Sequence, residues 1–141
     1  MRYNPPMPLD VTPLRNAVLR LREGLARHRA EPADEQLRDG PIQRFEFTYE
    51  VSHRTLRRYL MQTAASADKI ERLPFADLIR AGSAAGLLQG DWTAWRRFRE
   101  MRARTSHTYD SATAAQVVTA IPDFLAEAEH LCGELERRVE P

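Results

Sequence analysis

Apolar residues recur along this chain in steps of three and four, the signature of helices with one buried side. Val11, Leu14, Val18, Leu21 and Leu25 form the first stripe. Thr12-Pro13 supplies an N-cap and a proline at the first helical position, and Glu31-Pro32 follows the stripe. A helix is therefore expected from Thr12 to about His28, with His28 an exposed end residue and not a ligand. A second helix is expected from around Asp34 to Gln36 through about Ala65, with Ile42, Phe45, Tyr49, Ser52, Leu56 and Tyr59 on its inner side. Pro41, close to its start, predicts a bend or an irregular first turn.

Ala64 to Leu73 reads as a linker of small and charged residues. Pro74 opens a short helix with Phe75, Leu78 and Ile79 on one side, and Gly86 reads as its C-terminal cap. Asp91 is a good N-cap for a helix whose buried stripe is Trp92, Trp95, Phe98 and Met101 or Arg102. Ser111 caps the last helix, which carries a wide apolar face from Val117 to Leu135, and Pro122 within it predicts a kink. Four long helices, one extra short one and short connections predict an all-α fold, an antiparallel four-helix up-and-down bundle. Residues 1–9, rich in proline, read as a flexible N-terminal arm, and residues 10–141 as a single domain.

Composition changes this picture little. With 43% hydrophobic and 29% charged residues, the chain of 141 residues is a globular domain, not a disordered one. No apolar run approaches the roughly 20 residues that span a bilayer, and no secretory signal is visible, so no membrane association and a cytoplasmic location are expected. One cysteine, Cys132, excludes an internal disulfide and a multi-cysteine metal site; it lies on the apolar face of the last helix and reads as core. The net charge is only +1, but five arginines stand between Arg96 and Arg104 against Glu100 alone, while acids dominate from Asp123 to Glu140. That imbalance predicts one basic face and one acidic face.

Several groups invite a chemical reading. Glu46 and Glu50, four apart on one helix face, suggest acid/base work or a metal, but two helical acids are too few for a cation, and pairing with Arg44, Arg54 or Arg57 is the simpler account. Arg54, Arg57 and Arg58 read as a solvated face, and His53 as a polar residue at a helix contact without a catalytic role. Trp92 and Trp95, interleaved with arginines, have the composition of a base-stacking surface, yet their spacing places them in the core.

The densest chemistry is Arg102-Ala103-Arg104-Thr105-Ser106-His107-Thr108-Tyr109-Asp110. A fixed cation, an imidazole and a phenol hydroxyl within eight positions suit the handling of phosphate. Arg102 and His107 lie five residues apart, about 140° around a straight helix, so they meet only if His107 lies past the helix end. From spacing alone, the alternative is that Arg102 pairs with a carboxylate such as Glu46 or Asp110 while His107 caps a helix C-terminus.

Three blocks in order carry a resemblance: residues 37–50 (LRDGPIQRFEFTYE), Ala85-Gly86-Leu87-Leu88, and Thr105-Ser106-His107-Thr108-Tyr109-Asp110. Over residues 10 to 136 or so, the chain resembles the HEPN superfamily, and within it the HepT-like, nucleotidyltransferase substrate-binding subunits. The resemblance implies a homodimer that works with a separately encoded minimal nucleotidyltransferase. It implies an endoribonuclease toxin that needs neither metal nor cofactor, with Arg102 and His107 catalytic and Arg99 and Arg104 contacting RNA phosphates. It also implies Tyr109 as the target of adenylylation by the partner, with ATP consumed there. The alternative is a non-catalytic substrate-binding subunit, favoured by Ala103, which stands where the family pattern commonly has asparagine. The chain shows no Gly-Ser and paired-Asp pattern of a nucleotidyltransferase, so the resemblance does not make it one itself.

Overall fold

The computed structural model describes residues 8–139, and most of the N-terminal arm expected over residues 1–9 lies outside them. Leu9, at its described end, packs against the core. Six α-helices follow: α1 Thr12–Ala30, α2 Glu35–Thr63, α3 Ala67–Glu71, α4 Phe75–Ala84, α5 Trp92–Arg104 and α6 Ser111–Val139. A single 3-10 turn, Thr105–His107, joins α5 to the approach of α6. No strand occurs among the described residues.

Cross-helix bonds reveal the topology. Arg15 bonds Glu136 and Arg22 bonds Glu129, so residue numbers rise on α1 as they fall on α6. Thr48 to Ala17 and Arg44 to Arg20 give the same opposition between α1 and α2. Arg97 to Asp123 and Arg104 to Gln116 give it between α5 and α6. The four principal helices therefore run up, down, up, down, as the apolar periodicity predicts.

The core is aromatic at its centre. Phe45 and Tyr49 of α2, Trp95 and Phe98 of α5 and Phe124 of α6 are all buried and meet ring to ring at centroid separations of 5.0 to 6.3 Å. Trp95 is fully buried, which settles it as core, and Trp92 is partly buried against Phe75. Such pairs add to area burial through edge-to-face quadrupole attraction.

Local expectations fail where side-chain bonding and chain composition compete. Two short helices, α3 and α4, replace the single one expected, because Ser66 accepts from the Lys69 amide and caps a turn inside the supposed linker. Arg57, assigned to a solvated face, donates to the carbonyls of Ile70, Glu71 and Leu73 and ties this segment to α2. Thr12 does not cap α1; its amide donates to the Asp10 carboxylate, which that bond holds below the usual carboxylate range. Asp110, one residue before the expected cap Ser111, accepts from the Ala112 amide. Asp91 caps α5 as predicted, and Gly86 takes the left-handed conformation at φ 76° that a C-terminal cap requires. The expected basic and acidic stretches are partly offset against each other: Asp123, Glu129 and Glu136 of α6 pair with Arg97 of α5 and Arg22 and Arg15 of α1, while Glu134 pairs with Arg137 and Arg138 of its own helix. Antiparallel helices bring these oppositely charged rows face to face.

Candidate functional site

At the end of the bundle where α5 runs out, the start of α6 and the first half of α2 converge on the 3-10 turn. Thr105 is buried there and turns the chain: its hydroxyl donates to the Arg102 carbonyl, while the hydroxyl of Thr108 donates to the Thr105 carbonyl. The α-helix thus ends at Arg104, and His107 sits beyond it, the geometry the five-residue spacing demands.

Arg102 lies on the wall of an open groove of about 340 Å³ lined by Tyr49, Glu50, His53, Phe75, Arg99 and Ala103. Its Nη2 stands 3.5 Å from Glu46 Oε1 and its Nε 3.4 Å from Glu50 Oε1. These are ion-pair distances; Nε is buried yet too poorly aligned for a hydrogen bond. Thus Glu46 and Glu50 pair chiefly with Arg102, not with Arg44 or Arg57, although Arg54 reaches Glu50 at 3.7 Å. The reading of spacing alone, Arg102 against a carboxylate, is what the monomer displays. The Arg102 side chain nevertheless remains 32% exposed, open to the groove.

His53 extends the same network, its Nε2 3.2 Å from Glu50 Oε2 and its ring edge-on to Tyr49 and Phe75. Burial pushes its pKa below the ordinary histidine value, with Glu50 opposing that shift. Burial likewise raises the Tyr49 phenol to about 12. Neither group was a site candidate in the sequence, and only the packing of α2 against α4 and α5 reveals them. Arg99 lies over the Phe75 ring at 5.6 Å on the groove's wall. Arg104 points elsewhere, donating to Gln116 on α6.

His107 and Tyr109 are both exposed, their rings 6.4 Å apart and edge-on. Tyr109 is 89% exposed, the most accessible large ring among the described residues. Cys132 is buried at the opposite side of the molecule between α1 and α6, its thiol pushed up to about 12 by burial and by Glu136. No group of three or more His, Cys, Asp or Glu side chains is placed to hold a metal among the described residues. No described helix is long and apolar enough to cross a membrane.

The bundle thus carries Arg102 in a groove against Glu46 and Glu50, while His107 and Tyr109 stand exposed beyond the end of α5 and do not line that groove. A family model for "Nucleotidyltransferase substrate binding protein like" matches residues 9–137, and the chain belongs to that family. It is 42% identical over 99 residues to a Haemophilus influenzae protein named probable ribonuclease HepT, a match spanning 70% of this chain and 67% of that one. A solved Haemophilus influenzae structure, described as the fold of a substrate binding domain of a nucleotidyltransferase, aligns with a TM-score of 0.84 at 33% identity. The alignment covers 90% of this chain and 99% of that one. A crystal structure from Thermus thermophilus aligns at 0.70 with 27% identity, over 86% and 98% of the two chains.

Proposed function

We propose that this chain is a HepT-like endoribonuclease, the toxin of a two-component toxin-antitoxin system whose other member is a separately encoded minimal nucleotidyltransferase. The observation that carries the reading is the position of Arg102: a half-open guanidinium in a groove, at the helix end from which His107 and Tyr109 project. His107 takes the proton of a ribose 2′-hydroxyl, and the freed oxygen attacks the adjacent phosphorus. The bond to the 5′-oxygen breaks, leaving a 2′,3′-cyclic phosphate and a 5′-hydroxyl. Arg102 stabilises the charge that builds on the phosphorane-like transition state. A homodimer places a second Arg/His set across the groove, and that second imidazole, protonated, supplies the leaving oxygen's proton. Arg99, on the groove's wall, contacts a flanking phosphate, and Arg104 contacts another once its guanidinium leaves Gln116, which makes binding salt-sensitive.

Tyr109 is the adenylylation site in this reading. Its exposure lets a second enzyme reach the hydroxyl, and an added anionic group two residues from His107 repels RNA. The test is a purified-protein RNA assay on wild type, Arg102→Ala and His107→Ala, with mass measurement after treatment with the partner and ATP. Cleavage by wild type alone and a mass gain lost in Tyr109→Phe are expected; equal cleavage by all three proteins overturns the nuclease. A second reading, a non-catalytic subunit that presents substrate to the nucleotidyltransferase, is supported by Ala103 and by the described role of the Haemophilus influenzae fold. It is the correct one if wild type leaves RNA intact yet binds the nucleotidyltransferase.

A further inference from the structure

A second groove lies away from Arg102, between α1 and α2. It encloses about 580 Å³ and is lined by Asp10, Asn16, Arg20, Gln43, Arg44 and Phe47, with Ala17 and Thr48 at its floor. That volume falls in the range of small-ligand sites, about 300–1,000 Å³.

Three features give it chemistry. First, Arg20 and Arg44 form no ion pair among the described residues, whereas Arg15, Arg22, Arg97 and Arg102 each have a carboxylate. Asp10, the acid nearest to them along the groove, already accepts the Thr12 amide. Second, Arg44 is held in place. Its Nη1 donates to the Arg20 carbonyl at 2.7 Å, and its side chain crosses α1 at Gly24, where an added Cβ would come within 3.3 Å of Cδ and Nη1. A glycine here clears the path for a guanidinium, and a single carbonyl occupies only part of its donor fork. Third, Phe47 stands 60% exposed on the rim, a large planar ring outside the hydrophobic core. Asn16 and Gln43 add exposed amides that make no hydrogen bond within the described chain.

We propose that this groove binds a nucleoside monophosphate, or a nucleotide unit of the same chemistry, separately from the Arg102 groove. Arg20 and Arg44 take the phosphate, the second through its remaining forked donors. The base lies on the Phe47 ring, and the Asn16 and Gln43 amides meet its polar edge. A fixed guanidinium costs less ordering on binding than a free one, which suits a built site.

Calorimetric titration of the full chain with AMP, adenosine and inorganic phosphate tests this. AMP should saturate a site per chain and bind at least tenfold more tightly than adenosine. Arg20→Gln combined with Arg44→Gln should weaken AMP at least tenfold. Phe47→Leu should weaken AMP about tenfold while leaving the weaker binding of phosphate in place. Gly24→Ala, which displaces Arg44, should weaken it also. Unaltered circular dichroism in each variant ensures that folding is not what changed. His107→Ala should end RNA cleavage yet keep full AMP affinity, so this site and the nuclease can fail independently. No saturable binding of AMP overturns the proposal. So does binding that survives the arginine pair but is lost in Arg102→Ala, which moves the ligand to the other groove. If Phe47→Leu breaks a wild-type dimer in sedimentation, a second copy covers this face, and the proposal is equally overturned.

Discussion

Two carboxylate sites in this molecule show opposite solutions to holding a charge. Glu127, on α6, is 5% exposed and accepts the backbone amides of Gln89 and Gly90 at 2.7 and 2.6 Å. It closes the α4–α5 connection, and a Cβ at Gly90 would come within 2.6 Å of Glu127 Oε2, so a side chain there would displace the carboxylate from these amides. Glu46 and Glu50 sit half-exposed against Arg102 at 3.4 to 3.5 Å, short of good hydrogen bonds. The first carboxylate is dry, short-bonded and committed to one geometry. The second pair is wet, loose and exchangeable. A group that must release one partner for a phosphate belongs in the second kind of site, and a group that pins a loop belongs in the first.

The contrast can be broken at either end. The largest effect is expected at Arg102: Arg102→Ala should lower RNA cleavage by about 10²–10³-fold, as loss of a transition-state charge does. Its stability in urea should change by under about 1 kcal/mol, the range for a partly exposed ion pair. Loss of cleavage with a matching loss of stability would make Arg102 a structural residue. Next, Glu127→Ala should destabilise the fold by about 2 kcal/mol, since two part-buried backbone amides lose a charged acceptor. A urea midpoint unchanged from wild type would mean that water replaces the carboxylate. A smaller effect is expected from Glu50→Gln, within about 1 kcal/mol in stability. RNA should bind this variant more tightly at low salt, because one anion has left the groove; weaker binding would show that Glu50 orients Arg102 for the phosphate.

The smallest expected effect is in pH. His53 has a pKa lowered in the folded state by burial, so between that value and the ordinary histidine value the unfolded chain binds more protons. Stability should therefore fall as pH is lowered from about 6.5 through the folded value. In His53→Phe that part of the pH dependence should vanish, as read from thermal melts across pH 7 to 5. An unaltered slope would assign the acid sensitivity to other groups.

The helical class, the four main helices and their inward residues were legible because a 3.6-residue period leaves little choice about which side is buried. Trp95 and Cys132 were correctly read as core on that ground. Shorter-range features were not. Asp110 in place of Ser111, the Asp10 carboxylate on the Thr12 amide and the Ser66 cap of the unexpected α3 each turn on which nearby polar side chain reaches an amide, and spacing does not report that. The motif around Arg102 and His107 was visible as a spacing, but its setting was not.

What the sequence determined by itself is a set of amphipathic helices and an inventory of phosphate-handling side chains at the exit of one of them. Only the tertiary structure decided that Arg102 faces Glu46 and Glu50, that Asp123, Glu129 and Glu136 of α6 pair with arginines of α5 and α1, and that Arg20, Arg44 and Phe47 share a groove. Periodicity reports which side of a helix avoids water. It does not report the register between helices, and a displacement of one turn, about 5.4 Å, is enough to exchange one ion-pair partner for another.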